Sequence, residues 1–105
     1  MTKFEVIIGS TAQHDLRGIL RYITDTLKEP NTAKRIYKAI KEKIEKLDQM
    51  PLRYPLVRDD VLAARGLRLM PVENYSVFYA VNETEERVTM LRVLYSRREW
   101  QNLLS

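Results

Sequence analysis

Apolar and polar positions alternate from Lys3 to Ile8, with Phe4, Val6 and Ile8 on one side and Lys3 and Glu5 on the other. A period of two predicts a short strand, and Gly9 ends it. The period then lengthens. Leu16, Ile19, Leu20, Ile23 and Leu27 fall at helical spacing and make one apolar stripe. Ser10, with Gln13 three residues on, predicts an N-cap and capping box for this helix. Gly18 weakens it slightly. Glu29-Pro30-Asn31 stops it, because proline has no N–H to continue the ladder. Asn31 or Thr32 is the expected cap of a second helix, whose stripe is Ala33, Ile36, Tyr37, Ile40, Ile44 and Leu47. Lys34, Lys38, Lys41 and Glu45 lie opposite, and the helix stops near Met50-Pro51.

Two adjacent amphipathic helices joined by a short turn make a helical hairpin. Neither can bury its whole stripe on the other, so a sheet must cover the rest. The second half supplies it. Leu52 to Leu56 is an irregular, proline-bounded segment, and Arg58 to Ala64 reads as a short turn of helix or a loop. After Gly66, Leu67 to Val72 predicts a strand, with a turn at Glu73-Asn74. Tyr75 to Val81 alternates, with Tyr75, Val77, Tyr79 and Val81 on one face and Ser76, Phe78 and Ala80 on the other. Asn82 to Glu86 is a polar turn. Arg87 to Tyr95 is the last strand, with Val88, Met90, Arg92 and Leu94 expected opposite Thr89, Leu91, Val93 and Tyr95. Both faces of these two strands are rich in apolar groups, which predicts central positions. Ser96 to Ser105 is a basic, then apolar tail, with a short helix expected from Glu99. The expected order is β-α-α-β-β-β: an α+β fold, with the helical hairpin packed on one face of a small antiparallel sheet. No repeat or linker divides residues 1–105, so a single domain is expected.

Composition removes several classes of function. The chain has no cysteine and one histidine, His14, so thiolate chemistry is absent and a zinc site would have to rest on carboxylates around one imidazole. The three glycines are scattered and form no phosphate-cradling loop. Neither a metal nor an organic cofactor is expected. Glu5 interrupts any signal-peptide run, and no apolar stretch approaches the roughly 18 residues of a membrane span, so a soluble, cytoplasmic protein is expected. The formal net charge of +4 permits an anionic partner without requiring one.

What chemistry remains lies in the C-terminal third. Arg87, Arg92, Arg97 and Arg98 fall on or just after the last strand, Arg65 and Arg68 lie at the start of the sheet meander, and Tyr75, Tyr79 and Tyr95 are interleaved. Guanidinium groups grip phosphate and tyrosines stack on bases. The same set offers metal-independent RNA cleavage: Arg68, Arg97 or Arg98 as cations for the phosphorane, and Tyr95 or Glu99 to move protons. A general base has no convincing occupant. The plainer alternative is a solvated basic edge with half-buried tyrosines. The lysines of the second helix read more simply as a wet helix face, and Trp100 as a packing anchor for the tail.

The run Asp15-Leu16-Arg17-Gly18-Ile19-Leu20-Arg21-Tyr22-Ile23 resembles the first helix of ParE-type toxins. Tyr54-Pro55-Leu56-Val57-Arg58 resembles their inter-element segment. Asn74 to Tyr79, and Arg92 to Glu99, resemble the family's last two strands and the basic turn after them. The likeness covers essentially the whole chain, in order, and points to the RelE/ParE superfamily, on its ParE-like side. It implies the toxin half of a bacterial type II toxin–antitoxin pair. The partner would be a cognate antitoxin whose flexible segment folds on binding, adding to the sheet or lying across the helices. ParE-like members poison DNA gyrase by binding it; RelE-like members cut messenger RNA in the ribosome. In RelE-like toxins an arginine follows an aromatic residue on the middle strand, where this chain has Ser76 after Tyr75. Arg97 matches a second family arginine, Arg68 is the nearest cation to the family's paired lysines, and the catalytic C-terminal tyrosine has no clear counterpart. The expectation is therefore a gyrase-directed toxin contacting its target through Arg92, Arg97, Arg98 and Trp100. The alternative is a ribosome-dependent endoribonuclease using Arg68, Arg97 and Tyr95.

Overall fold

The computed structural model describes residues 3–97. Elements follow in the order β1 (Glu5–Ile8), α1 (Ser10–Arg21), α2 (Pro30–Glu45), α3 (Asp60–Ala64), β2 (Arg68–Val72), β3 (Tyr75–Asn82) and β4 (Arg87–Tyr95). The four strands form one sheet in the order β1-β4-β3-β2, so β3 and β4 are central, as their two apolar faces require. The α+β reading and the helical hairpin on one face both hold. The sheet, however, is mixed and not purely antiparallel: β2, β3 and β4 form the antiparallel meander, while β1 joins β4 in parallel. The cause is topological. The first strand returns through two helices and docks beside the last strand, not beside its sequence neighbour β2.

Both helix starts differ by a residue or two from the sequence reading. Gly9, not Ser10, is the N-cap of α1, and no side chain caps it. The Gly9 N–H donates to the Met90 carbonyl at 2.9 Å, and a Cβ on Gly9 would stand 2.8 Å from that same oxygen. The chain turns from strand to helix against the backbone of β4, and only glycine fits there without displacement. Gln13 still reaches back, donating from Nε2 to the Ile8 carbonyl. α2 begins at Pro30, with Glu29 as N-cap in place of Asn31 or Thr32. Proline is suited to the first helical position, since its missing N–H would have had no partner there.

The core between helices and sheet contains Ala12, Leu16, Ile23, Ile36, Ile40, Ile44 and Leu47 from the helical side and Met70, Val77, Tyr79, Val88, Met90 and Val93 from the strands. Two stripe residues escape it. Leu27, at the end of a wider turn at Tyr22–Thr26 in which its N–H reaches back five residues to the Tyr22 carbonyl, is 46% exposed, and Tyr37, on the flank of α2, is 42% exposed. A second cluster, Val57, Leu62, Leu67, Phe78 and Leu94, lies on the opposite face of the sheet. The segment around α3 covers that face. Asp59 caps α3 by accepting the Leu62 N–H at 3.0 Å.

The alternation predicted for the last strand breaks in the middle. Phe78 pairs with Arg92 but Tyr79 pairs with Met90, leaving Leu91 as a bulge. The extra residue reverses the faces. Val88 and Met90 before it, and Val93 after it, all enter the helix-side core, while Leu94 joins the other cluster.

Candidate functional site

Beyond Met90, β4 outruns β1 and its edge is taken by α1. Asp15 on α1 accepts from Arg92 Nε at 2.7 Å, from Arg92 Nη2 at 3.0 Å and from the Val93 N–H at 3.0 Å. One carboxylate thus binds a guanidinium in its fork and also replaces a strand partner for β4. The side chains are only 21% and 10% exposed, so the pair is weakly screened. The hydrogen bond to Asp15 raises the Arg92 pKa, so its charge is permanent.

Asp15 and Val93 of this clamp line a groove of about 800 Å3 between α1 and the ends of β3 and β4. His14, Tyr22, Leu27, Tyr75 and Tyr95 are among its lining residues. Tyr75 and Tyr95 meet edge-on, with ring centroids 5.9 Å apart and planes at 67°. Burial, with Tyr95 and Glu73 nearby, raises the Tyr75 pKa, so its phenol stays protonated at neutral pH. The strand exit is tied back by Ser96, whose N–H donates to the Asn74 carbonyl at 2.8 Å and whose hydroxyl lies 3.0 Å from that of Ser76. Arg97 follows, exposed. Arg98 and Trp100, the other two residues expected to contact a target, lie outside the described residues, as does the helix expected from Glu99.

Arg68 is elsewhere. It pairs with Tyr79, whereas Tyr95 pairs with Tyr75. Four residues of β3 separate these positions, about 13 Å along the strand at the usual rise, with two strand spacings across. The Arg68 guanidinium donates to the carbonyls of Tyr54 (2.6 Å) and Leu52 (3.4 Å). Tyr79 is wholly buried and donates its hydroxyl to the Pro51 carbonyl at 2.7 Å. These two side chains fasten the turn at Pro51–Arg53 to the sheet, and Tyr79 is unavailable for stacking on a base. Arg87 pairs with Glu5 and Glu85. The structure therefore brings Arg92, Tyr95 and Arg97 together at one end of β4 and holds Arg68 apart.

The sequence reading missed Asp15 as the organiser of this end and missed Tyr22 as a groove residue. Asp15 carried no local signal, because its partners are 77 and 78 residues away. No group of three or more potential metal ligands occurs among the described residues. No helix there is long and apolar enough to cross a membrane.

Residues 6–100 match the family of ParE toxins of type II toxin–antitoxin systems, parDE. No curated protein matches the chain. Among solved structures it resembles the chromosomal ParDE system from P. aeruginosa, with a TM-score of 0.72 and 20% identity over 89% of this chain and 96% of that one. It also resembles the RelBE2 toxin–antitoxin complex from Mycobacterium tuberculosis (TM-score 0.62, 19% identity, 90% and 99% covered). The archaeal RelE–RelB complex from Pyrococcus horikoshii is similar too (TM-score 0.60, 17% identity, 92% and 99% covered).

Proposed function

This chain belongs to the ParE toxin family of type II toxin–antitoxin systems, and from that premise we propose that it acts by binding DNA gyrase and is neutralised by a cognate antitoxin. The contact surface would be the end of β4, with Arg97 followed in sequence by Arg98 and Trp100. Arg92 serves this surface by holding the strand to α1 through Asp15.

The observation that carries the binding reading over a catalytic one is the separation of Arg68 from Arg97. RNA cleavage needs cations and proton carriers converging within hydrogen-bond reach of one phosphate. Here Arg68, paired with Tyr79 in the middle of β3, is committed to the backbone carbonyls of Leu52 and Tyr54. A protein-binding inhibitor needs only a braced, exposed strand exit with a cation on it.

The test combines the purified chain with DNA gyrase, ATP and supercoiled plasmid, followed by detergent and protease. Linear DNA should accumulate, and adding the antitoxin should suppress it. Absence of linear DNA, from a preparation that still arrests growth when expressed, would sink the gyrase reading and favour messenger RNA cleavage on ribosomes.

A further inference from the structure

Several cations are committed within the fold. Arg35, Arg87 and Arg92 pair with carboxylates, and Arg53, Arg68 and Lys43 donate to backbone carbonyls. The outer face of the helical hairpin is arranged differently. Arg17 and Arg21 lie one turn apart on α1, and Lys34, Lys38 and Lys41 fall at successive turns of α2, all five exposed. None of the five forms an ion pair or a side-chain hydrogen bond among the described residues. Glu42 and Glu45 stand one turn past Lys38 and Lys41, the spacing at which opposite charges pair on a helix, and neither reaches them. Like charges one turn apart weaken a helix instead.

The two rows of charge flank one another. Arg17 and Lys41 rim a single cleft of about 260 Å3 between α1 and α2, and no carboxylate lines it. Tyr37, the aromatic residue of that cleft, has the Lys41 ammonium 5.8 Å from its ring centroid. Positive charge is thus set out along two adjacent helices at the helical repeat of about 5.4 Å. The ring that could stack on a base already faces a cation. Such a face suits a regular polyanion held by its phosphates. Stacking on unpaired bases, which gives a single strand much of its grip, has no open platform there.

We infer that the outer face of the hairpin binds the phosphate backbone of double-stranded DNA, without regard to sequence, through Arg17, Arg21, Lys34, Lys38 and Lys41. DNA binding by the chain alone stands or falls on its own. Its use rests on the gyrase reading above, since gyrase supplies the duplex. The hairpin cleft shares no lining residue with the groove at Tyr95. The chain therefore holds the enzyme with the end of β4 and the enzyme's DNA with the hairpin, and two linked contacts outlast either one.

The probe is a short fluorescent duplex of mixed sequence, titrated with the purified chain and read by anisotropy at several salt concentrations. Binding should be seen at low salt, be equal for a scrambled duplex, and weaken steeply as salt rises. The slope of log K against log salt changes by about 0.9 for each phosphate contact. The variant K38Q/K41Q should keep the circular dichroism of the chain, weaken binding at least tenfold at low salt and flatten the slope by about 1.8. R58Q/R65Q removes the same charge from exposed positions around α3 and should leave affinity within twofold. No binding at low salt would overturn the proposal, as would equal losses from the two double variants. Tighter binding to the single strand, to RNA or to anionic vesicles would give the face to another partner and overturn it too. Gyrase is added last. Linear DNA should fall with K38Q/K41Q; equal yields from this variant and the unaltered chain would overturn the second contact. Duplex binding that K38Q/K41Q weakens, with no linear DNA from either protein, would support the DNA site and sink the gyrase reading alone.

Discussion

Two glycines separate backbone freedom from close approach. Gly9 has ordinary extended dihedrals, so conformation alone would admit alanine, but the new Cβ would meet the Met90 carbonyl at 2.8 Å. Relief requires moving the junction of β1 and α1 away from β4. Gly9→Ala should therefore cost about 1–3 kcal/mol, the usual range for an added methyl in a packed site. Gly18 has nothing within 4 Å of its would-be Cβ and sits inside α1, exposed. There alanine removes backbone entropy from the unfolded chain, and Gly18→Ala should stabilise by about 0.5–1 kcal/mol. Urea midpoints of the two variants should move in opposite directions; a shared direction would refute this assignment of their roles. The sequence places Gly9 at the end of a strand and Gly18 inside a helix, but gives no sign that Gly9 must be glycine. Both sit near helical patterns, and only the passing backbone of β4 makes one of them obligatory.

Elements are held together here by contacts between residues far apart in the chain. The Asp15 carboxylate joins α1 to β4 through three short hydrogen bonds, two of them to a permanent cation. Removing it takes two hydrogen bonds from the Arg92 guanidinium and one from the Val93 N–H in a partly buried place. Asp15→Ala should cost about 2–3 kcal/mol, in line with loss of hydrogen bonds to a charged group. Arg92→Ala in the Asp15→Ala background should then cost little more, and the double-mutant cycle would return a coupling of the same order. Simple additivity would mean that the pair contributes nothing as a pair. The existence and type of the strands and of the two long helices were readable because hydrophobic periods of two and of about 3.6 are local properties. Phe4, Val6 and Ile8, the stripe Ala33-Ile36-Ile40-Ile44, and the alternation from Tyr75 to Val81 all declare themselves. Three things did not. The parallel docking of β1 depends on which edge the helical hairpin reaches. The bulge at Leu91 puts Val93 in the helix-side core and Leu94 in the cluster on the α3 side. The exposure of Tyr37 depends on where α1 leaves a gap. Each is decided by tertiary fit, to which a periodic pattern is blind.

At the scale of the molecule, the sheet works as a spacer between two arginines that look equivalent in the sequence. Arg68 stands at the start of β2, holding the carbonyls of Leu52 and Tyr54, and together with Tyr79 it fastens the turn at Pro51–Arg53 over the core. Arg97 stands past the end of β4, exposed. Two arginines serving one phosphate would behave alike on substitution: each would abolish activity, and neither would matter much for folding. Arginines at opposite ends of a sheet should dissociate instead. Arg68→Ala removes donors from two carbonyls and should lower stability by about 1–3 kcal/mol, while its effect on toxicity should follow only from the fraction that remains folded. Arg97→Ala should leave the thermal midpoint within about 1–2 °C, as expected for an exposed side chain away from packing, and should weaken toxicity by at least tenfold. Growth arrest on expression and thermal unfolding of the purified variants measure both quantities on the same pair of proteins. Equal loss of toxicity from both, with neither unfolding early, would mean that the two side chains converge on a substrate after all, and would return the ribonuclease reading to the front.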